Sequence, residues 1–461
     1  MVDRRYSLLV GAIVALGLGL RIAAAQGGLW LDEAWSAELA RQAGTPLGVL
    51  LNINHDNNHH INSLWLQTVG YAAPPMLQRA LSIVTGTIGI AVAAEIFRPR
   101  SRRIALIAAL LFAVSPMIVT MGSEARGYAG MTLALLSAIV LVDRWLVNEC
   151  ADGVAFRLSL CFFLGALSQL TMVFGCVSLI GWVYCTLAQR HGLRIAAWRT
   201  LALFAVPLVV LGTVVAFVAA AAFASPTGFQ FGGYEPFHVL LFLHAVIEML
   251  GYTVGYPVVS LWLIPPALLL VVLARQAGVM HLAFYRLAIV AFPVALALLQ
   301  VGNTGHPRYY LVAVIALLLL IAETAGNATV RGGWQRRGAL AGVAAMLAGC
   351  LWQDADLIRN QRGNPDRAIF TLQARAPRGA TVLLDRASGL AMLTSAAAHW
   401  RYPIAIVETG CRPARFLFVD RFKGETFPDA PARCGAHYHP IAAARAHGLS
   451  GTHWTLYERR P

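Results

Sequence analysis

Apolar residues run through the first three-quarters of the chain in long blocks, with polar residues gathered between them. Eleven of these blocks approach or reach the ~20 residues that an α-helix needs to cross a bilayer. They centre on Ser7–Ala25, Leu77–Phe97, Ile104–Met121, Tyr128–Val147, Ala155–Leu170, Met172–Ala188, Leu201–Ala224, Val258–Ala274, Leu287–Val301, Tyr309–Thr324 and Ala339–Trp352. The pattern predicts a polytopic α-helical membrane protein with about eleven transmembrane helices. Ala23-Ala24-Ala25 has the look of a signal-peptide cleavage site, but the repeated blocks that follow favour an uncleaved first helix. From Gln353 onward the blocks stop. Ala380–Asp385 reads as a buried strand, Leu390–Trp400 as a helix, and Ile404–Val407, Phe416–Val419 and Trp454–Tyr457 as further strands. Residues 1–352 are therefore expected to form the membrane domain, with a large first outer loop over 26–76. Residues 353–461 are expected to form a small soluble C-terminal α/β domain with a partly parallel sheet. That unit has no Gly-rich phosphate fingerprint, which argues against a nucleotide site in it.

Composition agrees with this division. Hydrophobic residues make up 58% of the 461, the mean hydropathy is +0.63, and 13% are charged, about half of the ~25% usual in soluble domains. Charged residues are about 10% of the chain before Gln353 and about 22% after it. The formal charge of +14 can suggest a nucleic-acid partner, so the position of the charge decides. With the N-terminus in the cytoplasm, 16 of the 21 Arg before residue 353 fall in inner loops, as the positive-inside rule requires. The excess is then a topology signal, and no nucleic-acid partner is expected. An odd number of spans places the C-terminal unit on the outer side. Five Arg are left over on the wrong side: Arg21, Arg41, Arg79, Arg126 and Arg308.

The inner loops are short and basic. Most polar and ionisable groups without a topological reason lie in two long outer segments, Gln26–Met76 and Ser225–Tyr256, and two short outer junctions, Ser123–Tyr128 and Gly302–Tyr310, where four pieces carry candidate chemistry. The first contains Leu29-Trp30-Leu31-Asp32-Glu33-Ala34, with adjacent carboxylates just after a membrane helix, where charge is costly and usually functional. Asp32 also suits a helix N-cap, which is the competing reading. The second is His55-Asp56-Asn57-Asn58-His59-His60-Ile61-Asn62-Ser63, ahead of an apolar stretch, Leu64–Tyr71, too short to span and expected at the interface. Asp56, Asn58, His59 and His60 are candidate donors and acceptors for a sugar or phosphate. The alternative for this stretch is a divalent metal cofactor, which Asp32, Asp56 and His59 would ligate. The third piece, Ser123-Glu124-Ala125-Arg126-Gly127-Tyr128, offers Glu124, Arg126 and Tyr128. Arg126 suits forked hydrogen bonds to phosphate, or else a simple pair with Glu124. The fourth, Gly305-His306-Pro307-Arg308-Tyr309-Tyr310, offers His306, Arg308 and Tyr309, with headgroup anchoring by the tyrosines as its alternative.

Together, the Trp-x-Asp-Glu-Ala opening at Trp30–Ala34, the Asn57–Leu66 stretch, the Ser123–Tyr128 junction and the Arg308-Tyr309 helix start resemble membrane glycosyltransferases of the C-type (GT-C) fold. The closest resemblance is to the family 39-like branch of protein O-mannosyltransferases and aminoarabinose transferases, over roughly Met1–Leu320. Many relatives carry a Pro-Pro pair where this chain reads His60-Ile61-Asn62-Ser63, which leaves sugar and acceptor open. The resemblance implies transfer of a hexosyl or pentosyl group from a polyprenyl-phosphate carrier to an envelope lipid, glycan or protein. The expected location is the inner (cytoplasmic) membrane of a bacterium, with the active site facing the periplasm or exterior. Asp32 is then the catalytic base, Glu33 orients it or binds sugar, and Arg126 and Arg308 stabilise the leaving phosphate. A transporter or lipid flippase, and a non-catalytic envelope scaffold, are the alternative classes. Transporters place charge near mid-membrane and show repeats between halves, and neither feature is seen here. Of seven cysteines, Cys411 and Cys434 alone lie in the C-terminal unit, and an oxidising outer compartment favours a disulfide between them.

Overall fold

The computed structural model describes residues 2–149, 153–226, 228–230, 232–256, 264–408 and 414–459. Helix α1 (Val2–Ala24) leads into a block of three shorter helices, α2 (Leu31–Gln42), α3 (Pro46–Leu51) and α4 (His60–Val69). Then come α5 (Pro75–Phe97), α6 (Arg102–Val114), α7 (Pro116–Met121), α8 (Tyr128–Asn148), α9 (Val154–Ser168), α10 (Met172–His191) and α11 (Leu193–Ala224). The helical part closes with α12 (Val239–Val254), α13 (Ile264–Ala277), α14 (Leu282–Arg286), α15 (Phe292–Leu298), α16 (Leu311–Arg331) and α17 (Gly333–Asn360). Among the described residues, seven helices are long and apolar enough to cross a membrane: α1, α5, α8, α10, α11, the run Pro307–Arg331 and α17. The chain is a multi-pass membrane protein.

These seven coincide with seven of the eleven expected blocks. The others are not single long helices. Ile104–Met121 is broken at Pro116 into α6 and α7, and α9 has only 15 residues. A π-helical turn over Leu287–Ala291 interrupts the ninth block, and the start of the eighth, 258–263, lies outside the described residues. The stretch Ser225–Tyr256, expected as outer loop, contains the apolar α12. Helix α16 forms the central post, with Tyr310–Leu319 buried without interruption.

The break at Pro116 has a direct chemical consequence. Proline has no N–H, so the carbonyl of Phe112 loses its helical donor. Arg21 of α1 takes that place, donating through Nη2 to Phe112 O at 3.0 Å and through Nη1 to Ala113 O at 3.4 Å and Gly17 O at 2.9 Å. It fits because Gly86 and Gly122 line its slot: a Cβ there would stand 3.0 and 2.6 Å from Arg21 Nε.

After α17 the chain forms α18 (Asp366–Arg375), α19 (Gly389–His399) and a six-stranded sheet. Its strands are β1 (Ala380–Leu384), β2 (Ile404–Val407), β3 (Phe416–Arg421), β4 (Ala432–Arg433), β5 (Ala436–Ala444) and β6 (His453–Arg459). The order is β2-β1-β3-β6-β5-β4; β1 is parallel to β2 and β3, and the remaining pairs are antiparallel. β5 escapes the sequence pattern because it is Ala-rich and its register shifts between Pro440 and Ala442, where proline cannot donate to the ladder. The composition break at residue 353 falls inside α17, which continues to Asn360. The sheet unit packs directly on the first-loop block. Leu29, Ala34, Ala37 and Ala40 share one buried cluster with Leu372, Met392, Phe418 and Trp454. The alanines, three residues apart, give α2 a low ridge against which α19 can lie.

Cys434 is disulfide-bonded; Cys411, its expected partner, lies outside the described residues. Thiol labelling of the denatured protein should find two fewer free thiols without reductant than with it. Equal labelling removes the expected pairing.

Candidate active site

Asp32 is not the cap of α2. The helix begins at Leu31 with Trp30 as N-cap, so the Asp32 side chain lies in the first turn and reaches across to two arginines. Arg126 Nη1 donates to Asp32 Oδ2 at 2.7 Å, and Arg308 Nη1 donates to the same oxygen at 2.8 Å. Among the described residues nothing donates to Oδ1. Arg126 spends its other edges on Asn57 Oδ1 (2.7 Å) and His59 Nε2 (3.2 Å). Asn57 in turn donates to the backbone carbonyl of Asp32 at 2.8 Å and to Ser36 Oγ at 3.0 Å. Carboxylate and guanidinium are thus held by a shared amide, a preorganised arrangement.

His59 is buried, and the Arg126 charge adds to burial in pushing its pKa well below the ordinary imidazole value. It is neutral, with Nδ1 against Ser168 O at 3.1 Å and Nε2 accepting from Arg126. His306 is pushed down to about 4, by burial first and by Arg308 next. The Arg308 guanidinium lies 5.7 Å from the Tyr309 ring, and Arg126 lies 5.0 Å from the Tyr128 ring and 6.0 Å from that of Trp30. Trp30 Nε1, Tyr128 OH and Arg308 Nε are buried without a hydrogen-bond partner. Buried donors left open around a charged cluster mark a place where a ligand's oxygens complete the bonding.

The other expected residues take different places. Glu33 sits behind Asp32, fully buried, with Arg79 Nε at 2.8 Å from Oε1 and Nη2 at 2.5 Å from Oε2. It also accepts from the Ala125 N–H at 2.7 Å and the Trp30 N–H at 3.2 Å. Burial raises a carboxyl, but Arg79 and these donors hold Glu33 below its ordinary pKa. Arg79 completes its bonding on the carbonyls of Ala25, Gly27 and Gly28. Glu124 faces away from the cluster, its carboxylate 3.7 Å from Arg362. Asn58 ties the loop to itself, donating to Val49 O and Ile53 O and accepting from Ser63. Asp56 lies at the rim with His55 at 2.8 Å and the Gly232 N–H at 3.2 Å. His60 opens α4 and is buried, with no hydrogen bond to the cluster among the described residues.

The three expected metal ligands are not assembled. Both ring nitrogens of His59 are taken, Asp32 Oδ2 is gripped by cations, and no group of three His, Cys, Asp or Glu among the described residues can hold an ion.

Sequence reasoning missed Asn57, Ser36, Ser168 and Arg79. Arg79 did carry a signal, as one of the five wrong-side arginines. The fifth, Arg41, is spent on Glu38 through Nε (2.9 Å) and Nη2 (2.6 Å).

The backbone of the junction before α8 is fastened to its neighbours. Ser82 Oγ donates to Arg126 O at 2.8 Å, and Asn62 Nδ2 to Ala125 O at 2.5 Å. Gly127 is required by contact, since a Cβ there would stand 1.9 Å from Ser168 O. Gly127→Ala is expected to push α9 away, break the His59–Ser168 contact and release Arg126. Activity should fall by at least about tenfold from a misplacement of this kind, while expression and insertion persist; unchanged turnover would refute the packing argument.

A groove of about 480 Å³ runs from this junction along α5, α8 and α9. Arg126, Asn62 and Ser168 line its head, and Leu81, Ile88, Leu133, Leu160 and Leu164 its length. Ile88, Leu160 and Leu164 are exposed on the helix surface, so the groove opens sideways.

No protein-family model matches the chain, and no curated protein does. Solved structures do. ArnT from Cupriavidus metallidurans, bound to undecaprenyl phosphate, aligns over 99% of this chain and 98% of its own, with a TM-score of 0.58 and 12% identity. The apo form of the same protein gives the same values. An Archaeoglobus fulgidus oligosaccharyltransferase in complex with zinc and sulfate aligns over 86% of this chain and 62% of its own, at a TM-score of 0.48 and 14% identity. The end-to-end likeness to ArnT shows that this chain has the C-type fold of membrane glycosyltransferases, with a small C-terminal sheet unit.

Proposed function

We propose that the protein transfers a sugar from a polyprenyl-phosphate carrier to an acceptor on the outer face of the membrane. The observation that carries this reading is the Asp32 carboxylate, gripped on one oxygen by Arg126 and Arg308, with Arg126 also lining the head of a lateral apolar groove. A prenyl chain suits the groove, and a phosphate suits the two guanidinia. The undecaprenyl phosphate bound by ArnT supports the same choice of carrier.

The chemistry follows from what each group can do. An arriving phosphate diester competes with Asp32 for Arg126 and Arg308. As the guanidinia turn to the phosphate, Asp32 is released next to the anomeric carbon's open face. The acceptor hydroxyl attacks that carbon, and its proton passes to Asp32. The bond from the anomeric carbon to the phosphate oxygen breaks, and its electron pair leaves on the lipid phosphate, where the two cations neutralise the added charge. A single displacement inverts the anomeric centre. Glu33 serves as a positioning residue, since it fastens the first turn of α2 to Arg79 and to the junction that bears Arg126.

We assign the N-terminus and the basic loops to the cytoplasmic side and the site to the outer side on the Arg distribution, and the bacterial inner membrane on the resemblance alone. The acceptor belongs to the envelope: lipid, glycan or protein. The test is turnover by the purified protein, supplied with undecaprenyl-phosphate sugars of several hexoses and pentoses and an envelope extract as acceptor. Release of undecaprenyl phosphate, lost in Asp32→Asn, supports the reading. No release by the wild type, together with no binding of undecaprenyl phosphate, would overturn it.

A further inference from the structure

The tight turn that follows α17 holds an arginine that the catalytic reading above does not use. Gln361, Arg362, Gly363 and Asn364 all have positive φ, at 49°, 55°, 84° and 22°. Such a run is unfavourable for residues other than glycine, and persists only where the surroundings impose it. Its effect is to drive the Arg362 guanidinium, 1% exposed, into the membrane domain. There Nη1 donates to Ala24 O at 2.5 Å, at the end of α1. Nη2 donates to Ser123 Oγ at 2.7 Å and Thr120 O at 3.3 Å, at the end of α7. Nε donates to Ser450 Oγ at 3.2 Å, in the sheet unit.

The same turn grips the other half of the site. Asn364 Oδ1 accepts from the Gly28 N–H at 2.9 Å. Thr452, whose N–H donates to Arg362 O at 3.1 Å, accepts on its hydroxyl from the Leu31 N–H at 3.3 Å. One turn therefore fastens both the strand that leads to Asp32 and the junction that leads to Arg126. Between them lies Glu124, buried, with both carboxylate oxygens lacking a well-formed hydrogen bond. Its nearest cation is Arg362 at 3.7 Å. Burial raises the Glu124 pKa, and Arg362 and then Arg126 work against that rise.

We propose that Arg362 is a positioning residue through which the C-terminal unit sets the site: it occupies Glu124 and so leaves Arg126 free to face Asp32. This rests on the proposed role of Asp32 and Arg126, but its test does not need turnover. Without Arg362, the buried cations left near an ionised Glu124 are Arg79, already paired with Glu33, and the cluster's Arg308 and Arg126; Arg126, two residues along the chain, is the one drawn out of the cluster. Protonation of Glu124, or its replacement by Gln, removes that pull.

The experiment treats the full-length protein in detergent with phenylglyoxal and reads modification of Arg126 by peptide mass spectrometry. Wild-type Arg126 should be protected at both about pH 6 and about pH 8. In Arg362→Met, modification at the higher pH should rise about tenfold over wild type at the same pH, as expected when a buried charge loses its partner. It should fall back towards wild type as the pH is lowered far enough to protonate Glu124, and in Arg362→Met/Glu124→Gln at every pH. Protection of Arg126 in Arg362→Met, or exposure that Glu124→Gln does not reverse, would overturn the proposal. If Arg362→Met does not fold, Arg362→Lys replaces it. Lysine keeps a charge opposite Glu124 but cannot reach all four acceptors, so exposure should be slight and reversed by Glu124→Gln; exposure that Glu124→Gln does not reverse would count against the proposal. Binding of undecaprenyl phosphate to the wild type is measured alongside. Failure there removes the carrier assignment and leaves the Arg126 result standing on its own.

Discussion

Asp32→Asn is expected to lower turnover by ~10²–10⁴, the range for loss of general-base assistance, while lipid binding stays or tightens. The asparagine keeps the size of the side chain but cannot take the acceptor's proton. It also carries no charge to hold Arg126 and Arg308, so both guanidinia are free for the carrier phosphate from the start. Arg308→Ala should act in the opposite sense, weakening binding of the prenyl phosphate as well as turnover. Removal of one donor to a developing anion costs ~10²–10³ in rate. A titration with undecaprenyl phosphate beside a turnover assay separates the two variants. Equal loss of binding in both would mean that Asp32 holds the site together and does not act as a base.

Glu33→Ala should be the most destabilising single change in the first-loop block. It leaves Arg79, fully buried, with backbone carbonyls and no directly paired carboxylate. Breaking a buried pair in this way costs about 3–5 kcal/mol. A clear fall in melting temperature in detergent is expected, along with loss of activity because the Ala125 N–H is freed. Pairing the change with Arg79→Met removes the stranded cation, and should recover much of the stability without the activity. If Glu33→Ala melts like the wild type, the pair is not structural, and Glu33 returns to consideration as a sugar ligand.

The membrane helices are legible because bilayer thickness imposes a length and an apolar content on each. That rule fails where a helix is broken or short. Ile104–Met121 reads as one span, yet Pro116 divides it, and the Arg21 that repairs the break lies in another helix. The site is legible in part for a related reason. Charge bias explains most arginines by topology, so the five unexplained ones stand out, and Arg126 and Arg308 prove to share one carboxylate oxygen. The pattern cannot separate these from Arg79 or Arg41, because all four are outer-side arginines and only the fold decides which acid each one meets. Glu33 shows the limit most plainly. It is adjacent to Asp32 in sequence, but successive residues on a helix point about 100° apart, so one carboxylate faces the cluster and the other the protein interior. Arg362 gave no signal at all, being one basic residue in a basic tail and 239 positions from Ser123.

The repair at Pro116 also bears on how the protein is made. Helix α1 enters the membrane first, yet the acceptors for its arginine lie 91 and 92 residues downstream. Until α6 is synthesised, Arg21 has only the Gly17 carbonyl of its own helix within reach, in a setting where an unmatched guanidinium is costly. The first helix is therefore expected to settle fully only once α6 supplies those carbonyls. An unrelated apolar segment exchanged for α1 would insert more readily and assemble worse.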